Sequence, residues 1–400
     1  MRRELDDTAI LQRTPAIGDL LERARALVPG IAARRAEAEV RRDIPEATIA
    51  VMKAAGLLRV YQPARWGGLE CDPRDVYDIQ NLFAETCLST GWVYGVLALQ
   101  SFFLARFGEQ AQADVWGKNP DALLSSSFAP LGKVTRVEGG FRVSGRYGYS
   151  SGSSHADWAV VGGIVAPDGE GDVPHLRLFL IPRADYVIDD MWHTIGLRGT
   201  GSNDLVIADA FVPDHRIYRP DPGLVPLPAG SGLAPLHRLP WVHMASATIG
   251  NVAIGGTRAA VRAFADATRA RRTAPPPPGV PENPALLSVI ARAEAEADAT
   301  GAVSRRNIGR YFSAIAENRA MEPAEALTYR VQITGSLRRL TALVDEMVLL
   351  SGGHAIREGS PLTRIWLDLI AARAHFGNDP AGAMAMLGST LDAGFAQETV

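Results

Sequence analysis

Apolar residues recur at three- and four-residue steps from 17 to 58, in IGDLLERARALVPGIAARRAEAEVRRDIPEATIAVMKAAGLL, with charges between them. That period predicts amphipathic helices. Asp43 and Pro45 predict a helix start inside the run. The stretch YQPARWGGLE, Tyr61 to Glu70, breaks the pattern with Pro63 and the Gly67-Gly68 pair. Helix resumes over 74–107, with an interruption expected near Ser89–Gly91. From Leu123 the period shortens toward two. KVTRVEGGFRVSG holds two alternating segments around Gly139-Gly140, a hairpin signal. β-rich runs continue to about Pro213, and Trp158 opens one of them. Pro220 to Pro240 reads as a Pro- and Gly-rich linker, after which helix returns to the end. Within that last part, Pro275–Pro278 predicts a stiff exposed loop. The expected organisation is an N-terminal helical domain (1–122), a central β domain (123–218) and a C-terminal helical bundle (219–400).

This order excludes a doubly wound α/β fold, in which strand and helix alternate throughout. No G-x-G-x-x-G opens a helix after a strand, and no G-x-x-x-x-G-K-[ST] occurs. Direct binding of NAD(P)H or ATP through those motifs is not expected. Apolar residues make up 47% and charged residues 21% of the 400, which fits a soluble globular chain. Net charge is −3 with the signs scattered, so no basic stripe points to nucleic acid. Two cysteines form neither a disulfide framework nor a metal cluster, and a cytoplasmic location is the expectation. Acids stand where a signal peptide would be apolar, and no apolar run approaches the ~20 residues of a membrane span. The eight histidines show no ligand spacing, so no metal is expected.

Six motifs in order carry a resemblance: YQPARWGGLECDP, STGWVYGV, LLSSSFAP, GRYGYSSGSSHADWAVVGG, GLRGTGSNDLVIADAFVP and IWLDLIAARAHFGNDP. Together they resemble the oxygenase components of two-component flavin-dependent monooxygenases, a branch of the acyl-CoA dehydrogenase superfamily. The secosteroid phenol hydroxylases are the most similar, and the para-hydroxyphenylacetate hydroxylase oxygenases are more distant. The resemblance implies a mainly α fold with a small β domain between helical parts, packed into homotetramers. It implies a reduced flavin (FMNH2 or FADH2) and O2, with a separate NAD(P)H-dependent reductase supplying the flavin. The substrate would be a bulky aromatic, phenolic or polycyclic, hydroxylated through a C4a-hydroperoxyflavin.

The resemblance also places residues. Ser151 falls where a hydroxyl bonds the flavin near N5, next to Ser150, with Tyr149 as an aromatic wall and Trp158 packing behind. Ser126 or Ser127 would approach the substrate, and strand alternation lets one of them face the pocket. Phe128 would wall the flavin, and Trp92 would pack near it. Arg198, Thr200 and Ser202 suit the flavin's phosphate or ribityl region, or a subunit contact. Gly352 and Gly353 resemble a loop that reaches a neighbouring subunit's flavin. His155 is read either as structural, bonding backbone in its turn, or as catalytic.

Two positions bear on the chemistry. Where the dehydrogenases carry a glutamate base, the match here is Phe376, with His375 beside it. The oxygenases have a histidine in this helix, and imidazole can carry or relay a proton near neutral pH. The helical wheel puts Leu362, Ile365, Leu369, Ala372 and Phe376 on the apolar stripe and His375 at its edge, on the side of Asp368. Gln100 stands where the phenol hydroxylases have a substrate-binding histidine, and glutamine cannot take a proton. Open alternatives are an N-hydroxylase of an amine or amino sugar, an acyl-CoA dehydrogenase with a displaced base, and a flavin-free binding protein.

Overall fold

A computed structural model describes residues 15–167, 173–270 and 284–398, and side chains from 18 to 392 within those spans. Five helices come first: α1 (Pro15–Arg41), α2 (Glu46–Ala54), α3 (Pro73–Thr86), α4 (Leu88–Leu104) and α5 (Glu109–Trp116). Eight strands follow: β1 (Leu124–Ser127), β2 (Lys133–Val137), β3 (Gly140–Ser150), β4 (Trp158–Val165), β5 (His175–Pro182), β6 (Val187–Asp189), β7 (Asn203–Pro213) and β8 (Ile217–Tyr218). Then come α6 (Trp241–Ala270), α7 (Pro284–Ala316), α8 (Pro323–Ser351), α9 (Pro361–Arg373) and α10 (Ala381–Glu398). The expected fold class is the observed one. No described helix is long and apolar enough to cross a membrane. The proline run 275–278 lies outside the described residues.

The strands form two four-stranded sheets, in the orders β1-β4-β5-β8 and β2-β3-β7-β6. The predicted hairpin is β2–β3, with Gly139 at φ +73° in its turn. Phe141, Val143, Tyr147, Val161, Phe179 and Leu205 fill the space between the sheets. Trp158 does not pack behind Tyr149 as expected. It joins a separate small cluster with Trp116 and Leu178, under the Arg216 guanidinium at 5.0 Å.

Helix α4 has no charged residue, and every residue except Val96 is buried. Apolar on all sides, it must be surrounded. The chain breaks at Cys87 (φ −153°, ψ 112°), not at Ser89–Gly91. Gly91 sits inside the helix because a Cβ there would stand 2.7 Å from Ala84 of α3. The glycine serves close helix packing and is no breaker.

The linker from Pro220 to Pro240 is fastened to the N-terminal helices. Leu236, His237, Arg238 and Leu239 are buried. His237 Nε2 meets Tyr61 O at 2.8 Å. Buried Arg106 pairs with Asp221 at 3.0 Å, donates to Leu239 O and lies over the Phe102 ring. Asp43 does not cap a helix. Pro45 precedes α2, and Asp43 instead accepts from Ser154 and lies 3.3 Å from His155 Nε2. This ties α1 to the β domain, with the His155 ring against the Asp43 carboxylate and, among the described residues, not bonded to backbone in its turn.

The bundle is tied to the β domain by Asp368 of α9. Its Oδ1 accepts from the Leu197 N–H at 2.6 Å. Gly196 allows that approach, since a Cβ there would run into the Leu367 carbonyl. Burial pushes the Asp368 carboxyl up to about 7, although the Leu197 bond and Arg364 oppose it. The native state therefore holds a proton that the unfolded chain releases near pH ~4. This contribution is present in full below pH ~4 and is lost as pH rises through about 7. In chemical denaturation, Asp368→Asn should gain on wild type by about 1.4 kcal/mol per pH unit across that window. A difference that stays flat with pH would contradict the protonated state.

Candidate active site

Four residues of α4 share one face at helical spacing: Trp92, Val96, Gln100 and Phe103. Each end of this stripe meets the β domain. Trp92 Nε1 donates to Ser151 Oγ at 3.1 Å, and the Phe103 ring meets Phe128 edge-on at 4.7 Å. Val96, the one half-buried residue of the helix, lies between them. This stripe, facing the ends of β1 and β3, is the candidate cleft.

Ser151 reaches the cleft because β3 loses register after Tyr147 and Tyr149 takes a left-handed φ of +63°. The next turn needs Gly152, at φ +67°, where a Cβ would be 3.2 Å from Val93 and Leu97 of α4. Ser151 Oγ is 2.7 Å from Ser202 Oγ, and Ser202 Oγ is 2.7 Å from Thr200 Oγ1. Thr200 donates to Leu197 O at 2.9 Å, and Trp192 Nε1 donates to the same carbonyl at 2.8 Å. A chain of neutral hydroxyls thus runs from the cleft to the loop that Asp368 holds.

His375 approaches from the bundle. Helix α9 ends at Arg373, and Asn378 Nδ2 closes the end by donating to Ala372 O at 2.9 Å. The turn points His375 inward, its ring 5.6 Å from Trp92. Phe376 faces out, 78% exposed, and so leaves the predicted apolar stripe. The Gly377 N–H donates to His375 Nδ1 at 3.0 Å. That nitrogen is an acceptor, so the proton of the neutral ring sits on Nε2. Burial pulls the imidazole down to about 4. In its neutral form His375 so held presents Nε2–H as a donor.

Other expected residues sort by geometry. Ser127 is buried and donates to Gly148 O at 2.8 Å, which commits it to the sheet. Alternation puts half-buried Ser126 on the Phe128 side, toward α4. Gln100 is buried and donates to Val96 O at 3.3 Å, while its Oε1 has no partner among the described residues. Ser150 is buried, its Oγ likewise unpartnered. Tyr149 is 73% exposed, its ring 6.3 Å from Trp192. Arg198 is exposed and donates to Thr194 O. Gly352 and Gly353 form an exposed turn after α8. Among the described residues, no hydrogen bond or ring contact joins Arg198, Gly352 or Gly353 to the hydroxyl chain. Nor do any three His, Cys, Asp or Glu of the described residues form a group able to hold a metal.

Sequence reasoning passed over Val96, Trp192, the Gly377 amide and the grip of Asp368 on Leu197. Asp368, the sole acid in the apolar run of α9, was the one with a visible signal. The backbone amide had none.

A flavin ring is a flat, largely apolar plate with a polar edge. Trp92, Val96, Phe103 and Phe128 offer apolar surface, with Ser151 and His375 as directed polar groups and Gln100 Oε1 as an unclaimed acceptor. Those residues fit such a plate and a neighbouring polar aromatic.

Comparisons with known proteins agree. Models of the acyl-CoA dehydrogenase N-terminal and C-terminal domains match residues 18–119 and 247–380. The oxygenase subunit HsaA of a flavin-dependent monooxygenase from Rhodococcus jostii (strain RHA1) is 35% identical, covering 92% of this chain and 97% of its own. The oxygenase component of p-hydroxyphenylacetate 3-hydroxylase from Acinetobacter baumannii is 30% identical, over 95% of this chain and 90% of its own. The crystal structure of 3-HSA hydroxylase from Rhodococcus sp. RHA1 superimposes with a TM-score of 0.86 at 34% identity, covering 94% and 97% of the two chains. Alignment from end to end, on a shared three-part fold, means that the chain belongs to the oxygenase subunits of flavin-dependent monooxygenases, a family built on the acyl-CoA dehydrogenase fold.

Proposed function

We propose that this chain takes up a reduced flavin made by a separate NAD(P)H-dependent reductase and uses it with O2 to hydroxylate a bulky aromatic substrate. The observation that carries this reading is the meeting of Trp92, Ser151 and His375 beside Val96, the one uncovered point of α4. When bound, the flavin supplies the activation of O2. The chain's own residues bind, orient and exclude water. Phe103 and Phe128 give the apolar wall on the substrate side. An acyl-CoA dehydrogenase needs a carboxylate base. The one acid of α9, Asp368, is turned to the Leu197 amide instead.

His375 presents Nε2–H as a fixed donor toward the reacting region. Electrostatic stabilisation by such a preplaced donor typically contributes 10²–10³ in rate. His375→Ala should slow the oxygen reaction of the bound reduced flavin by about that factor. His375→Gln, whose amide also donates, should stay within about tenfold of wild type. Burial keeps the ring neutral down to about 4, so the charged form appears only below that pH. The rate should then show no histidine limb between about pH 6 and 8. Stopped-flow absorbance across that range reads both effects, and a limb near pH 6.5 that vanishes in His375→Gln would refute the donor role.

Gln100 Oε1 is a buried acceptor awaiting a donor, which a substrate O–H or N–H can supply. Glutamine leaves the phenol protonated. Gln100→Leu should weaken binding of bulky phenols by about tenfold while reduced-flavin affinity holds. Titration with a phenol panel tests this, and an unchanged ranking and affinity would remove Gln100 from the substrate site.

The functional form is a homotetramer. Leu349 and Ile356, near the Gly352–Gly353 turn, are exposed on a single chain, as are Phe376, Met191 and Ile195. Their burial against other copies explains why the end of α8 is apolar. Light scattering should return four chain masses, and a monomer would contradict this assembly.

A further inference from the structure

The hydroxyls between the cleft and Leu197 have a direction. A carbonyl oxygen carries no hydrogen, so Thr200 gives its one hydroxyl proton to Leu197 O at 2.9 Å. Thr200 Oγ1 therefore meets Ser202 as an acceptor, and Ser202 donates across the 2.7 Å contact. With the Ser202 proton used, the 2.7 Å contact to Ser151 requires Ser151 to donate. The indole of Trp92 can only donate, and it takes one Ser151 lone pair at 3.1 Å. What Ser151 has left for the cleft is a second lone pair. Burial agrees with this division. Thr200 and Ser202 are buried, and Ser151 is half-buried at the open end.

The far end of the chain is fixed in place. Leu197 sits at φ +51°, its amide held by Asp368 and its carbonyl also bonded by Trp192. The carbonyl cannot turn away without breaking these bonds, so the direction of the whole series is built into the loop.

The two redox states of a flavin differ in what they bring to such a contact. The reduced ring carries N–H at N5. The oxidised ring has a bare nitrogen there, which is itself an acceptor. Where Ser151 faces N5, as the resemblance implies, its free lone pair pairs with the first and confronts a lone pair in the second. We propose that Thr200, a buried residue that does not reach the cleft, sets the direction of the Ser151 hydroxyl and so makes the site prefer reduced over oxidised flavin. Thr200 is then a positioning residue for redox-state selectivity. This rests on the flavin reading above.

The test compares dissociation constants for oxidised FMN and FAD, by fluorescence, with those for the same flavins reduced anaerobically. Wild type should bind the reduced form more tightly. In Thr200→Val the Ser202 proton loses its acceptor and turns to Ser151, which frees Ser151 to donate into the cleft. The reduced-to-oxidised preference should fall by about tenfold, roughly the worth of one hydrogen bond. Thr200→Ser keeps the hydroxyl and should keep the preference. Ser202→Ala removes the acceptor for Ser151 and should act like Thr200→Val, which covers a valine variant that fails to fold by circular dichroism. General loosening of the loop would weaken both flavin states together and leave the ratio intact. An unchanged ratio in Thr200→Val or Ser202→Ala overturns the proposal and spares the flavin reading. So does a wild type that binds the oxidised form as tightly. A wild type that binds neither form removes the flavin reading and this inference with it.

Discussion

Leu197 is the joint on which the site depends. Its backbone lies in the left-handed region, which costs a non-glycine residue about 1–2 kcal/mol. Three partners hold it there: Asp368 on the amide, and Thr200 and Trp192 on the carbonyl. These partners come from the bundle, the loop itself and the segment before it. The joint is therefore made only when the bundle has docked on the β domain. Asp368 loses solvation to make it, and the rise of its carboxyl to about 7 records that cost.

From this joint the site is assembled in neutral groups. Hydroxyls pass from Leu197 to Ser151, and Trp92 closes the series from α4. His375 enters from the end of α9, fixed by the amide of Gly377. No carboxylate belongs to the series, and Asp368 is committed to the Leu197 amide. Preplaced dipoles among apolar side chains suit a large apolar ring whose reaction must be shielded from water. Helix α4 makes this possible. A helix with no charge can be covered on every side, and its one half-buried residue, Val96, lies in the candidate cleft.

Much of the fold was legible in the sequence. The change of period from helical to near two at Leu123, and back after Pro240, marked the order of helices, strands and helices. Gly139-Gly140 marked the hairpin, and the motif order marked the family. These are local signals, written in the spacing of apolar side chains and in turn chemistry. Motif matching also named Trp92, Ser151, Thr200, Ser202 and His375, which the structure brings together.

Tertiary structure decided what each residue does there. Sequence could not tell Ser126 from Ser127, because that depends on which hydroxyl the Gly148 carbonyl claims. It set His375 at the edge of a helical stripe with Phe376 inside. The helix ends two residues earlier, so Phe376 faces out and His375 turns in. It left the tautomer of His375 open, because a backbone amide on Nδ1 leaves no mark on the residue type. It read Ser89–Gly91 as a break and the Pro220–Pro240 stretch as free linker. Close packing on α3 and the buried Arg106 contacts gave both other roles. The sequence by itself determined the elements and the kinds of atom available. Where each proton sits was decided by contacts between segments far apart in the chain, since a hydrogen bond's direction belongs to the pair and not to either residue.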